Sequence, residues 1–154
     1  MFRLLGIGAL LVVFFVAVAG NGQSGRSAAN TNSASRAQCL AVPTATIANI
    51  ETGVRAQFRG STHFSNYQAV RSPDHTHIYY VAAKVGSVSG ADDWGVAIWA
   101  LNRLDHGSGE TGLIWATPEI ATRYTDWGNG SQTQARFGRQ DVGYRQAKEC
   151  ARLN

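Results

Sequence analysis

Thr76-His77-Ile78-Tyr79-Tyr80-Val81-Ala82-Ala83-Lys84-Val85 and Trp94-Gly95-Val96-Ala97-Ile98-Trp99-Ala100-Leu101 decide the fold. The first stretch is rich in β-branched and aromatic side chains, the residues that fit a pleated, half-buried surface. Alternation puts Ile78, Tyr80 and Ala82 on one face and Tyr79, Val81, Ala83 and Val85 on the other. The second stretch is nearly apolar on both faces, which marks a strand near the centre of a sheet. There Trp94 is expected beside Val96 and Ile98, and Trp99 beside Ala97 and Leu101.

Working outward, Ser72-Pro73-Asp74-His75 reads as a turn with Pro at its second position, and Tyr67 to Ser72 as the strand before it. Gly86 to Asp93 is a loop. Arg103 to Thr111 is a polar, Gly-rich hairpin loop that leads into Gly112-Leu113-Ile114-Trp115-Ala116, a third partner. Ile47, Ile50 and Val54 follow Pro43 at i, i+3 and i+7 and predict a short first helix. Thr117-Pro118-Glu119-Ile120 is a helix start, with Thr117 as cap and Pro118 at the first helical position. Asp126-Trp127-Gly128-Asn129-Gly130 ends that helix. Asp141 caps a last one, in which Tyr144, Ala147, Cys150 and Ala151 recur at helical spacing. The fold class is α+β: a small antiparallel sheet of three or four strands, joined as hairpins, with helices packed on one face.

The chain has 154 residues and a formal net charge of +4. Its apolar residues are unevenly placed. Every position from Met1 to Ala19 is apolar except Arg3, Gly6 and Gly8, whereas only 22 Leu, Ile, Val and Phe occur in the 135 residues that follow. These proportions exclude a multi-span membrane protein, a coiled coil, a collagen-like fibre and a zinc-ribbon cluster. Residues 1–19, a basic start followed by an unbroken apolar run, predict a signal peptide or an N-terminal membrane anchor. Ala17-Val18-Ala19 offers a cleavage site, and retention of a slightly short anchor stays open. No Cys ends the run, which argues against a lipoprotein anchor. Residues 20–38 are mostly Gly, Ser, Asn and Ala with no aromatic, and predict a flexible linker. Residues 39–154 are then one domain.

Cys39 opens that domain and Cys150 nearly closes it. An exported chain with two Cys and no CxxC or Cys/His cluster is expected to pair them in one structural disulfide rather than keep two thiols. The expected location is extracytoplasmic, secreted or tethered by residues 1–19.

Chemistry-bearing residues are sparse. His75 and His77 are two apart, so on a strand they would point the same way, with His63 or Asp74 as a further ligand; this is the candidate metal site. A solvated turn accounts for the same residues. Asp92 and Asp93, with Asp105, Glu110 and Asp126 elsewhere, are the carboxylates available for hydrolysis, although no spacing forces a pair together. Gly107-Ser108-Gly109 lies in a hairpin rather than a strand-to-helix nucleophile turn. Neither a Walker A loop nor a GxGxxG occurs, so no cofactor is expected. Four Trp in an aliphatic-poor domain mean an aromatic core or a stacking surface. Trp94 and Trp99 point to opposite faces, and one helix layer covers only one of them. Trp94 and Trp99 with Asp92 and Asp93 are therefore the ligand-binding candidates, for a sugar or peptide.

Twelve of the 14 basic residues are Arg. Arg145, Lys148 and Arg152 fall on one side of the last helix, either as a solvated face or as a patch for an anionic membrane surface or envelope polymer. Nucleic acid is not expected as a partner. Asn129-Gly130-Ser131 is a glycosylation sequon that matters only in a eukaryotic secretory route.

The order of landmarks Tyr79-Tyr80-Val81-Ala82-Ala83, Val96 to Asn102, Thr125-Asp126-Trp127 and Ala147-Lys148-Glu149-Cys150 resembles uncharacterised exported or membrane-anchored proteins of high-GC bacteria. The resemblance spans residues 65–151. It implies export and a bacterial source, and carries no activity or site residue with it. The expected function is an exported, non-catalytic binding module of the envelope or extracellular space. A small metal-dependent hydrolase using His75, His77, Asp92 and Asp93 is the alternative from another class, and a structural or accessory envelope protein is the third.

Overall fold

A computed structural model describes residues 39–90, 93–105 and 112–153. The two decisive stretches form its centre. β3 (Tyr79–Ser87) and β4 (Asp93–Leu101) pair antiparallel from Tyr79 opposite Leu101 to Gly86 opposite Asp93. β2 (Thr62–Arg71) flanks β3, and β1 (Leu40–Ala41) closes that edge. On the other side β5 (Ile114–Ala116) pairs antiparallel with β4, and β6 (Gly128–Asn129) pairs parallel with β5. Among the described residues the sheet thus has six strands in the order β1-β2-β3-β4-β5-β6. It is α+β, but the expectation of three or four antiparallel strands is corrected to a mixed six. The two edge strands are two residues long and carry no readable alternation.

Helices cover both faces, which corrects the expected single layer. α1 (Thr44–Thr52) and α2 (Ile120–Tyr124) bring Ile50 and Ala121 against Phe64, Val81, Ala83, Val85, Ala97, Trp99 and Leu101. α3 (Val142–Arg152) brings Tyr144, Ala147, Cys150 and Ala151 against Val70, Tyr80, Ala82, Val96, Ile98 and Ala100 on the opposite face. The expected alternation along β3 holds on both sides, and β4 is buried on both sides from Val96 onward. Small side chains at Ala82, Ala83, Ala97 and Ala100 let both helix layers approach the sheet closely, while Trp99 and Tyr80, each 0% exposed, fill the volume that scarce Leu and Ile leave.

Local signals decide where elements stop. Asn66 has φ +52 and interrupts the β2 ladder between Ser65 and Gln68, so β2 begins at Thr62, five residues before the alternation suggests. His77 has φ +60, which keeps Thr76 and His77 in the turn and delays β3 to Tyr79. Thr117 does not cap a helix. Its N–H and its hydroxyl both donate to the Ile98 carbonyl (3.0 and 2.6 Å), prolonging the sheet edge, and α2 starts at Ile120. Cys39 and Cys150 are disulfide-bonded with Cα atoms 5.7 Å apart, fastening the start of the fold to the last turn of α3.

Candidate functional site

A bulge in β4 creates an open aromatic surface. Val85 pairs with Gly95 and Gly86 with Asp93, so Trp94 has no partner on β3. Gly95 takes φ +122, a conformation that only glycine adopts readily. The Asp93 carboxylate accepts the Gly95 N–H (2.9 Å) and closes the kink. The bulge cancels one step of alternation. Trp94 turns away from the face of Val96 and Ile98 and lies flat on Tyr124 of α2, with ring centroids 5.8 Å apart and planes at 12°. Phe58 meets Tyr124 edge-on at 4.7 Å, and the Arg123 guanidinium sits 5.9 Å from the Tyr124 centroid.

Trp94, Glu119, Ile120, Arg123 and Tyr124 line an open cleft of about 500 Å³. Trp94 stays 38% exposed, a large apolar surface left in water beside charged groups. Glu119 at the rim has φ +87 and ψ −97, a strained conformation for a residue with a side chain, and its carboxylate is ion-paired with Arg139. The cleft therefore offers a flat aromatic plane, a planar cationic donor and a carboxylate acceptor. Such a set can stack against a ring and pair with polar groups on it.

The other candidates fall elsewhere. Trp99 is wholly buried, edge-on to Phe64 with its Nε1 3.4 Å from the Thr125 hydroxyl, and has no surface for a ligand; the second helix layer covers it. Trp115 packs on Phe137, and Trp127 donates to the Ile50 carbonyl (3.0 Å) above Gly53. Asp93 serves the bulge, and Asp92 lies outside the described residues. Asp126 is ion-paired with Arg55 (3.3 Å), Asp105 is exposed, and Glu110 is also outside the described residues.

The histidines do not converge. His63 sits opposite Gly86, at the far end of β3 from His75 and His77, and the strand rise between the two ends is about 23 Å. His75 and His77 are in the turn, so the same-side geometry of a strand does not apply to them. Among the described residues no three His, Cys, Asp or Glu are grouped to hold a metal ion.

His75 instead joins a buried polar cluster at the start of α3. Its Nε2 lies 3.4 Å from Asp141 Oδ2, and its ring meets Phe137 edge-on. The same carboxylate oxygen accepts the Tyr80 hydroxyl and the Gly138 N–H (3.0 Å). Burial first, then the Asp141 carboxylate, push the Tyr80 phenol far above its ordinary range. Asp141, expected to cap α3, is thus turned inward. Asp74 takes the capping task from across the fold, accepting the N–H groups of Val142 (2.6 Å) and Gly143 (3.2 Å). The residues missing from the sequence reading of the site are Glu119, Arg123 and Tyr124. Their only signal was a helix start ahead of an aromatic, which equally describes core packing.

No family model matches this chain, and neither does any curated protein or solved structure.

Proposed function

We propose that the protein is an exported, non-catalytic binding module of the cell envelope, and that it holds a sugar ring of an envelope polymer on Trp94. The observation that carries this reading is the exposed Trp94 ring, stacked on Tyr124 by a dedicated bulge and bordered by Arg123 and Glu119. The apolar face of a pyranose packs on an indole, and its hydroxyls pair with a guanidinium and a carboxylate. The disulfide is consistent with an extracytoplasmic address, and the apolar run of residues 1–19 supports export. Among the described residues no helix is long and apolar enough to cross a membrane. The separation of His63 from His75 and His77 gives no support to the metal-site part of the hydrolase reading.

Titration with chitotetraose and with soluble peptidoglycan fragments, read by tryptophan fluorescence, tests the reading. Saturable quenching is expected in the native protein, and titration calorimetry of Trp94→Ala, which lacks the reporting ring, is expected to show the binding heat lost with the circular dichroism of the fold retained. Absence of a response to both probes overturns the sugar-binding reading and leaves the structural or accessory role.

A further inference from the structure

Among the described residues α3 is the one α-helix on the face opposite the Trp94 cleft, and its outer side has a composition of its own. Arg145, Lys148 and Arg152 recur at i, i+3 and i+7 and so share one flank. Among the described residues the ion pairs engage none of these three. Arg145 donates through one guanidinium nitrogen, Nη1, to the Arg139 and Gln140 carbonyls, neutral acceptors that fix its head and add no counter-charge. Glu149 is the one acid on the exposed side of the helix. Beside the basic flank, large apolar side chains stand in water: Val142 at the first turn of α3 is 37% exposed and Leu153 just past its end 53%. These are two of the six exposed large apolar residues among those described. Basic and apolar groups side by side along a surface helix are the composition of an element that lies in a bilayer interface.

The disulfide adds a second, independent observation. By joining Cys39 to Cys150 it fixes the point where residues 1–38 join the fold to the last turn of α3. The apolar run of residues 1–19 is thus connected to the domain at the helix that carries the basic flank. A tether attached there starts beside α3 and raises the local concentration of whatever surface the run inserts into.

We propose that the α3 face, with Arg145, Lys148, Arg152, Val142 and Leu153, docks on an anionic lipid bilayer. Arg and Lys pair with lipid phosphates while Val142 and Leu153 enter the headgroup boundary. Each basic residue near an anionic surface multiplies partition about fivefold. Three of them do little for an untethered domain and become decisive once the tether supplies the first attachment. Docking in this orientation turns the Trp94 cleft away from the bilayer.

The test uses the full chain reconstituted in vesicles, oxidised, with an environment-sensitive dye on Leu153→Cys. The control dye is on Val88→Cys, in the exposed β3–β4 loop. In phosphatidylcholine vesicles containing 30% phosphatidylglycerol, blue-shifted emission is expected at position 153 and not at 88. The shift is expected to vanish in pure phosphatidylcholine and to reverse in 0.5 M salt, two arms that need no change in the patch. Charge reversal (Arg145→Glu, Lys148→Glu, Arg152→Glu) is expected to remove it with the melting temperature retained. Equal emission at both positions, or a shift indifferent to lipid charge and salt, overturns the proposal. So does a response to soluble poly(glycerol phosphate) without one to vesicles, which points to a wall polymer instead. A failed sugar titration does not bear on this outcome.

Discussion

Asp74 and Asp141 have exchanged the tasks that their positions suggest. Asp141 precedes α3 in the chain, yet its carboxylate is spent on Tyr80 and Gly138, and Asp74 caps α3 from the β2–β3 turn. The two substitutions should therefore differ. Asp74→Ala loses an exposed cap and should cost about 1 kcal/mol. Asp141→Ala strands the buried Tyr80 hydroxyl and should cost about 2–3 kcal/mol. Tyr80→Phe added to Asp141→Ala should recover part of that loss, because the stranded donor is gone. Urea unfolding of the four proteins measures all three values. The buried phenols also set an alkaline limit. Burial raises Tyr67, Tyr80 and Tyr144, with Glu51 adding to the rise at Tyr67 and Asp141 at Tyr80. Arg139 partly opposes the rise at Tyr144. A phenol whose folded-state affinity for its proton exceeds that of the unfolded chain stabilises the fold fully below about pH 10 and progressively less above it. Three of the five tyrosines should thus resist ionisation until the fold is lost, a delayed step in the 295 nm absorbance titration that coincides with loss of circular dichroism.

At the scale of elements, the bulge in β4 links local backbone to the candidate site. Gly95 holds φ +122, and a Cβ there would come 2.7 Å from Ile120 Cδ1 of α2. Gly95→Ala should cost about 2–3 kcal/mol through backbone strain and overpacking. It should also lift Trp94 off Tyr124, seen as a red shift in emission alongside the lower urea midpoint. This element also marks what could be read from sequence. Ordinary alternation identified β3, the apolar part of β4 and the buried side of α3, because each pairs a regular period with a continuous buried face. It failed at Asn66, His77 and Trp94, where a positive φ or a bulge resets the period without any change in composition. Trp94 was legible as a candidate by its type and its neighbour Asp93. Its face was not legible, because one unpaired residue inverts the assignment. Nor was the second helix layer, since α2 is five residues long and α3 reads as amphipathic whichever face it covers.

The molecule as a whole depends on one covalent link more than a domain with a large aliphatic core would. Its sheet is buried on both faces, yet much of the filling is Ala and aromatic, and both edge strands are minimal. Cys39 and Cys150 close a loop with a sequence separation of 111, and a loop of that length restricts the unfolded chain by about 4–5 kcal/mol in the chain-entropy account. A domain of this size has about 5–15 kcal/mol in total, so the link supplies about a quarter or more of the net stability. Its location decides what is lost first. α3 packs on β2, β3 and β4 through Tyr144, Ala147 and Ala151, and the disulfide holds the last turn of α3 against β1, the shortest edge of the sheet. Replacing both cysteines by alanine should lower the melting temperature by about 15–30 °C and release β1 and the end of α3 before the β3–β4 pair opens. Thermal melts with and without reductant measure the first effect. Hydrogen exchange should show early loss of protection at Leu40–Ala41 and Ala147–Arg152, with Tyr80–Val85 protected longest. An unchanged melting temperature, or uniform exchange across the sheet, would mean that the two-faced aromatic core holds the fold without the link.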